Sequence, residues 1–309
     1  MKEIPMIVLF GPTASGKTKI AIELCKEFGG EVVTADSMQV YKYMDIGTAK
    51  PDKEEMQGIK HHMIDIVEPT FNYSLADYKE EAQKCILDIY KRGKIPVLAG
   101  GTGLYIDTLV DNVDLSESEI DEEYRNELYE ISEKHGNLYL HQMLEKIDPE
   151  SAKEIHFNNV KRVVRALEFF KVSGITKSQH IKNSQNTEKP YKCVKFCLDM
   201  PREILYDRIN KRVDIMMEKG LIDEVEALLK MGVDKSHTSM QGIGYKEILE
   251  YLNGETTLMC ATDKLKQATR RYAKRQITWF KREKDTCFVN PCDDYFNLLK
   301  KTIELSEVL

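Results

Sequence analysis

Apolar positions along the chain fall into two kinds of run. Short unbroken ones, Ile7-Val8-Leu9-Phe10 and Ile95-Pro96-Val97-Leu98-Ala99, show no polar alternation. Such runs suit strands covered on both faces, as in a parallel sheet. Between them the spacing changes. Ile20, Ala21, Leu24 and Phe28 recur at helical intervals and predict a helix over 17–28 that Gly29-Gly30 stops. Glu31 to Asp36 reads as the next strand. Strand, loop, helix and strand make a βαβ unit, which implies a parallel sheet with a right-handed crossover.

Further along, Ser74 has the position of an N-cap for a helix running to about Arg92, where Gly93 ends it. Another helix is predicted over 104–109, a strand over 193–198, and a long helical stretch from Arg202 to about Met231. Between about Asp111 and Pro190 the character changes. Asp114 to Glu123 is acidic and serine-rich, and only helical patterns follow. One of those helices opens near Asn158 and carries Ala166, Leu167, Phe169 and Phe170; Lys182 to Lys189 reads as a polar returning linker. The expected fold class is therefore α/β, a parallel sheet flanked by helices, with a helical insertion domain. The core is expected over 1–111 and 191–309 and the insertion over 112–190. The last third reads as helical and basic, above all from Lys264 to Lys284.

Composition sharpens this in a few respects. At 309 residues, 42% of them hydrophobic, the chain exceeds one typical domain and has ample material for a core. A net charge of −6 gives no global basic signature, so any nucleic-acid binding must rest on local basic patches. No apolar stretch is long enough to cross a bilayer, and the run at Ile7 is too short for a signal peptide. A cytosolic location, away from membranes, is the expectation. The seven cysteines include no CxxC pair, and Cys193 and Cys197 fall on one face of a predicted strand, so they read as incidental thiols. His61-His62 is an adjacent pair whose side chains diverge on any regular element, which argues against a metal site.

The chemistry starts at Gly11-Pro12-Thr13-Ala14-Ser15-Gly16-Lys17-Thr18, which fits GxxxxGK[ST] at every fixed position. It stands between a predicted strand and a predicted helix, the context the motif requires. Glycines let the backbone curl so that successive N–H groups face an anion. The helix start adds partial positive charge, Lys17 a mobile cation and Thr18 an oxygen for Mg²⁺. The motif defines a phosphate cradle, not a reaction.

Asp36 ends the second strand and continues into Ser37-Met38-Gln39-Val40-Tyr41. Three readings stand side by side. It suits a Mg²⁺-ligating acid of an ordinary nucleotide hydrolase, a role for which Asp199 is a second candidate. It equally suits a base that takes a proton from an acceptor in the crevice at the carboxyl ends of the strands. It also suits a helix N-cap or turn residue.

Asp36 to Tyr41, Met44-Asp45-Ile46-Gly47-Thr48-Ala49-Lys50-Pro51 and Gly100-Gly101-Thr102-Gly103-Leu104-Tyr105 together resemble the tRNA dimethylallyltransferase family. Ala273-Lys274-Arg275-Gln276-Ile277-Thr278-Trp279 is similar to its C-terminal signature, and Asn158 to Glu168 to its insertion signature. The match spans nearly the whole chain, in order. The eukaryotic members carry a C-terminal zinc finger; no such Cys/His cluster is present, so the bacterial form is expected.

The resemblance implies transfer of a dimethylallyl group from dimethylallyl diphosphate to N6 of the adenine next to the anticodon of tRNA. It implies that Gly11 to Thr18 hold the donor's diphosphate, with Lys17 and a Mg²⁺ ion on Thr18 offsetting its charge, and with Thr102 and Arg212 as helpers. Arg212 follows Arg208 by one helical turn, so the two point the same way. Asp36 would orient the acceptor amine and take its proton. The adenine would have to be flipped out of the anticodon loop. The implied tRNA contacts are Asp36, Ser37, Met38 and Gln39; Lys161, Arg162, Val163, Val164 and Arg165; and Arg271, Arg275 and Arg282. Those last three share a helical face, interleaved with Tyr272, Trp279 and Phe280, of which Trp279 reads as a packing residue. A monomer is expected. Two other reactions remain open to the sequence: prenylation of a free adenine nucleotide, and phosphoryl transfer by a small-molecule kinase, with ATP in the P-loop.

Overall fold

The computed structural model describes residues 3–113, 121–184, 189–306 and 308. Six strands form one sheet: β1 (Ile4–Phe10), β2 (Gly30–Ala35), β3 (His61–His62), β4 (Ile95–Gly100), β5 (Tyr191–Leu198) and β6 (Thr286–Val289). Their order is β3-β2-β4-β1-β5-β6, and every pairing is parallel. The unbroken apolar runs are explained by burial on both faces. Met6, Val8 and Phe10 belong to one core cluster, and Ile7 and Leu9 to the cluster on the opposite face.

The helices of the core are α1 (Lys17–Phe28), α2 (Lys53–Met56), α3 (Leu75–Lys91) and α4 (Gly103–Val110), then α10 (Arg202–Glu218), α11 (Leu221–Lys230), α12 (Tyr245–Leu252), α13 (Leu258–Phe280) and α14 (Tyr295–Leu305). α1 and α14 cover one sheet face through Ile20, Ala21, Leu24, Leu299 and Ile303. Most of the others cover the opposite face, where Tyr78, Ile86, Val225, Ile248, Leu265 and Phe280 pack. Ser74 caps α3 in a capping box with Asp77, satisfying two N–H groups at that helix end.

The register fixes where function sits. Phe10 and Ala35 both stand opposite Gly100. The residues after β1, β2 and β4 therefore emerge at one level along the sheet's carboxyl edge, where open α/β sheets bind ligands.

The chain divides into two compact units, Met1–Val110 with Lys189–Leu309, and Asp111–Glu188. The second is helical among its described residues: α5 (Glu122–His135), α6 (Asn137–Ile147), α7 (Pro149–Glu154), α8 (Val160–Ser173) and α9 (Lys177–Ser184). Its core is built from Leu128, Leu140, Leu144, Val163, Val164, Ala166 and Leu167. The buried Glu168 carboxylate is balanced there by Arg125 at 2.9 Å and Arg165 at 3.2 Å.

Three expectations need correcting, and one strand was not expected at all. The stretch 202–231 is two helices, because Gly220 takes a left-handed conformation (φ 95°) that ends one and starts the next. Lys182 to Ser184 close α9 rather than opening a linker, and 185–188 lie outside the described residues. The last third is not wholly helical, since β6 adds a strand at the sheet edge. The two-residue β3 forms the other edge, and no periodicity marks so short a strand. Most of the acidic segment from Asp114 also lies outside the described residues.

Candidate active site

A cleft opens at the carboxyl edge of the sheet. Lys17 and Thr18 line it from the start of α1, Asp36 and Gln39 from the turn after β2, and Gly100 and Gly101 from the end of β4. Residues that the sequence singles out in three separate segments thus share one space.

The P-loop is held from outside. Ala14 packs with Met200, Leu205, Ile209, Ala273 and Ile277, so α10 and α13 grip the loop through the Ala14 methyl. Thr13 N–H donates to Gln276 Oε1 at 2.8 Å, and Gln276 Nε2 donates to the Gly101 carbonyl at 2.8 Å. The Thr13 N–H is therefore spent on α13. It is thereby set apart from the successive N–H groups expected to face an anion. Ser15 N–H turns to the Pro12 carbonyl at 3.3 Å, while the fully buried Ser15 Oγ has no partner among the described residues. Lys17 folds back so that Nζ donates to the Gly11 and Pro12 carbonyls at 2.9 and 2.7 Å. Its pKa is lowered to about 8, by burial first and by Arg212 second, with Asp36 and Cys197 pulling the other way. A bound anion would remove the strain of that buried cation.

Asp36 occupies the turn position that one of its three readings gives it. Oδ1 accepts from Met38 N at 2.9 Å and Gln39 N at 3.3 Å, closing the turn. Oδ2 has no partner among the described residues, which leaves one carboxylate oxygen for chemistry. Asp199 is exposed, its N–H bonds to the Val289 carbonyl, and it is not among the cleft residues. Thr102 Oγ1 accepts from Ser37 N at 3.2 Å and so ties the β4 loop to the β2 turn. Tyr272, from α13, lies close to Thr102 and Gln276; burial and Asp36 raise its pKa to about 12, keeping it a neutral phenol. The Arg212 pKa is lowered by burial, while Glu55 and Asp36 raise it through space. Arg208, one turn earlier on α10, is exposed.

Mg²⁺ fits this donor set in a limited way. Among the described residues no cluster of three or more His, Cys, Asp or Glu could hold a metal. Mg²⁺ bound with phosphates needs only one or two protein oxygens, and Thr18 is exposed at the helix start beside the cleft. The orphaned Ser15 Oγ marks unfilled hydrogen-bonding capacity in the same loop.

Three contributors escaped the sequence reading. Gln276 enters the sequence reading only inside the C-terminal signature, with no role of its own, yet it is buried; the signal lay in the stripe Ala273, Ile277 and Phe280, whose face it shares. Tyr272 stands out in the sequence only as a residue interleaved with arginines. His61 carries no role in the sequence reading, but the pair diverges in a useful way. His62 Nε2 bonds Glu31 at 2.7 Å, while His61 lines the cleft. His61 Nδ1 donates to the Ile59 carbonyl at 2.9 Å, leaving the buried Nε2 as an acceptor without a partner among the described residues.

The remaining candidates separate. Arg271 and Arg275 are exposed on α13, with Arg275 over the Tyr272 ring at 5.6 Å. Arg282 is exposed but lies beyond the end of α13, in the turn that follows, so the expected common helical face ends at Arg275. Phe280 is core, its ring tilted against that of Phe10 with centroids 4.8 Å apart. Trp279 packs over Gly103, where any Cβ would lie 2.5 Å from its ring, and donates to Asp107 at 2.8 Å. Met38 packs on Gly242. In the insertion, Lys161 and Arg162 are exposed and Arg165 is pinned to Glu168. Val163 and Val164 are buried in the insertion core, which corrects their placement among RNA contacts: their side chains supply packing.

Fold and cleft define a P-loop α/β enzyme core in which a phosphate cradle faces a carboxylate with one free oxygen. Residues 39–283 match the family model described as IPP transferase. The chain is 51% identical over 299 residues to a tRNA dimethylallyltransferase of Acetivibrio thermocellus, covering 97% of this chain and 95% of the relative. It is 51% identical over 280 residues to one of Thermoanaerobacter sp., covering 90% and 89%. The crystal structure of the full-length tRNA isopentenylpyrophosphate transferase of Bacillus halodurans superposes with a TM-score of 0.74 at 43% identity, covering 99% and 98% of the two chains. A eukaryotic dimethylallyltransferase acting on tRNA superposes with a TM-score of 0.80 at 31% identity, covering 97% of this chain and 78% of that one. The chain belongs to the IPP transferase family, and its fold is that of the bacterial tRNA isopentenyltransferases.

Proposed function

We propose that this chain transfers a dimethylallyl group from dimethylallyl diphosphate to N6 of the adenine 3′ to the anticodon in tRNA. The observation that carries the reading is the free Asp36 Oδ2 in the same cleft as the P-loop lysine. A carboxylate there serves an acceptor that must lose a proton, and relatives matched over nearly the full length are named for this transfer.

The loop holds the diphosphate end of the donor. Lys17 and Arg212 offset the charge that builds on the departing pyrophosphate, in a site where burial makes both cations strong partners. Mg²⁺ bound through Thr18 would supply further positive charge to the diphosphate oxygens. As the C1–O bond breaks, the allylic carbon is taken by N6, and the N6 proton passes to Asp36 Oδ2. Thr102, tied to Ser37 N, keeps the Asp36 turn in place. Catalysis is then chiefly positioning and electrostatic stabilisation. The flipped adenine is reached from the Asp36–Gln39 turn. Arg271 and Arg275 on α13, and Lys161 and Arg162 in the insertion, supply cations for the RNA backbone of the anticodon stem-loop.

Labelled dimethylallyl diphosphate offered with tRNA, AMP or ATP tests this reading. Label is expected in tRNA alone and only with Mg²⁺ present. Label in AMP, or phosphoryl transfer from ATP to a small acceptor, would overturn it.

A further inference from the structure

A carboxylate on α11 organises the turn that follows the cleft residues. Glu224 accepts hydrogen bonds from three successive backbone amides: Asp45 N at 2.9 Å, Ile46 N at 2.7 Å and Gly47 N at 3.0 Å. Tyr245, opening α12, donates its hydroxyl to the same carboxylate at 2.7 Å. Three consecutive N–H groups form a concave anion site, and here the chain fills it with its own side chain. Residue 47 must be glycine, since a Cβ would come within 2.6 Å of the Tyr245 ring.

What the turn holds explains the expense of four hydrogen bonds. Its next two carbonyls, Thr48 and Ala49, accept from Gln39 Nε2 at 3.2 and 3.4 Å. Gln39 lines the cleft beside Asp36 and Lys17. With the amide nitrogen committed to the turn, Oε1 is the end of Gln39 left for a ligand. An acceptor at that place matches an exocyclic amine, the group that gives up a proton in the proposed transfer.

We propose that Glu224 is a positioning residue for the transfer step, acting through the 45–49 turn on the Gln39 amide, whose oxygen holds the second N6 hydrogen of the adenine while Asp36 takes the first. The inference rests on the function proposed above.

The test is a double-mutant cycle between Glu224→Gln and Gln39→Ala, read by single-turnover transfer to tRNA on protein shown to be folded by its thermal transition. Glu224→Gln is expected to slow transfer by about 10–100-fold, the range a small misplacement of reacting groups costs, with KM for dimethylallyl diphosphate within about twofold of wild type because the P-loop is untouched. Added to Gln39→Ala it should cost nothing further, since its effect runs through that side chain. Tyr245→Phe, which removes one bond of the four and keeps the core ring, should show the same coupling at smaller size if Glu224→Gln does not fold. Full additivity, or a Glu224→Gln rate equal to wild type, overturns the positioning role. A wild-type protein that modifies no tRNA would instead overturn the reading of function.

Discussion

Gln276 and Thr13 stand 263 residues apart in sequence and are joined by a 2.8 Å hydrogen bond that fixes the phosphate loop to α13. The same amide reaches the Gly101 carbonyl at 2.8 Å, so one buried side chain ties the loop after β1 to the loop after β4. Gln276→Leu would keep the volume and leave both backbone groups unpaired. Each is expected to cost about 1–3 kcal/mol, read as a lowered midpoint in urea. The loosened loop should also raise KM for the prenyl donor more than KM for tRNA.

Asp36→Asn retains an oxygen to accept from Met38 N and Gln39 N but removes the base. Transfer is expected to fall by about 10²–10⁴-fold, while tRNA affinity, measured by filter binding, stays close to wild type. Asp36→Ala should match it in rate and add a loss of stability from the opened turn. Equal loss of binding and transfer in Asp36→Asn would assign the residue to the fold alone.

The lowered pKa of Lys17 sets a pH limit. The cationic form is the one that meets the diphosphate, and it is the form present below a pKa of about 8. Deprotonation in the free enzyme therefore removes it as pH rises, and kcat/KM for the donor should decline above about pH 8. The value of kcat should hold to higher pH, because the bound anion restores the proton. A profile flat through pH 10 would contradict this.

Glu31 governs stability away from the chemistry. Its buried carboxylate takes Arg92 through two bonds of 2.7 Å, Lys94 at 2.8 Å and His62 at 2.7 Å. Those bonds, Arg92 above all, hold its pKa far below the usual carboxylate range. Glu31→Gln should cost about 2–3 kcal/mol at pH 7, less than the roughly 3–5 of a fully buried pair because Arg92 and Lys94 are partly exposed. The folded pKa lies below the unfolded one. The wild-type advantage is thus complete above about pH 4.3 and shrinks as pH falls below it. Urea titrations at pH 7 and pH 3 would show the two proteins converging in acid.

What the sequence revealed of the fold and site follows from range. β1, α1 and β2 could be read because their signals are local: an unbroken apolar run, a helical repeat and a glycine stop within 35 residues. The motif at 11–18 and the acid at Asp36 could be read for the same reason. β3 and β6 could not, since a two-residue edge strand and one with Phe288 exposed carry no periodic burial. Gln276, Tyr272, His61 and Glu224 gain their roles only from where distant segments meet. A glutamine among arginines gives no sign, at its own position, that it braces a loop near the N-terminus. Val163 and Val164 show the reverse error: standing between basic residues, they shared a signature with them but not a direction.

The most direct measurement is mass spectrometry of nucleosides from an unmodified tRNA, transcribed in vitro with adenine 3′ to the anticodon, after incubation with the protein, Mg²⁺ and dimethylallyl diphosphate. The expected result is N6-(dimethylallyl)adenosine at that one position, with pyrophosphate released in equal amount. An unaltered adenine there, with the protein folded and the donor intact, would contradict the assignment.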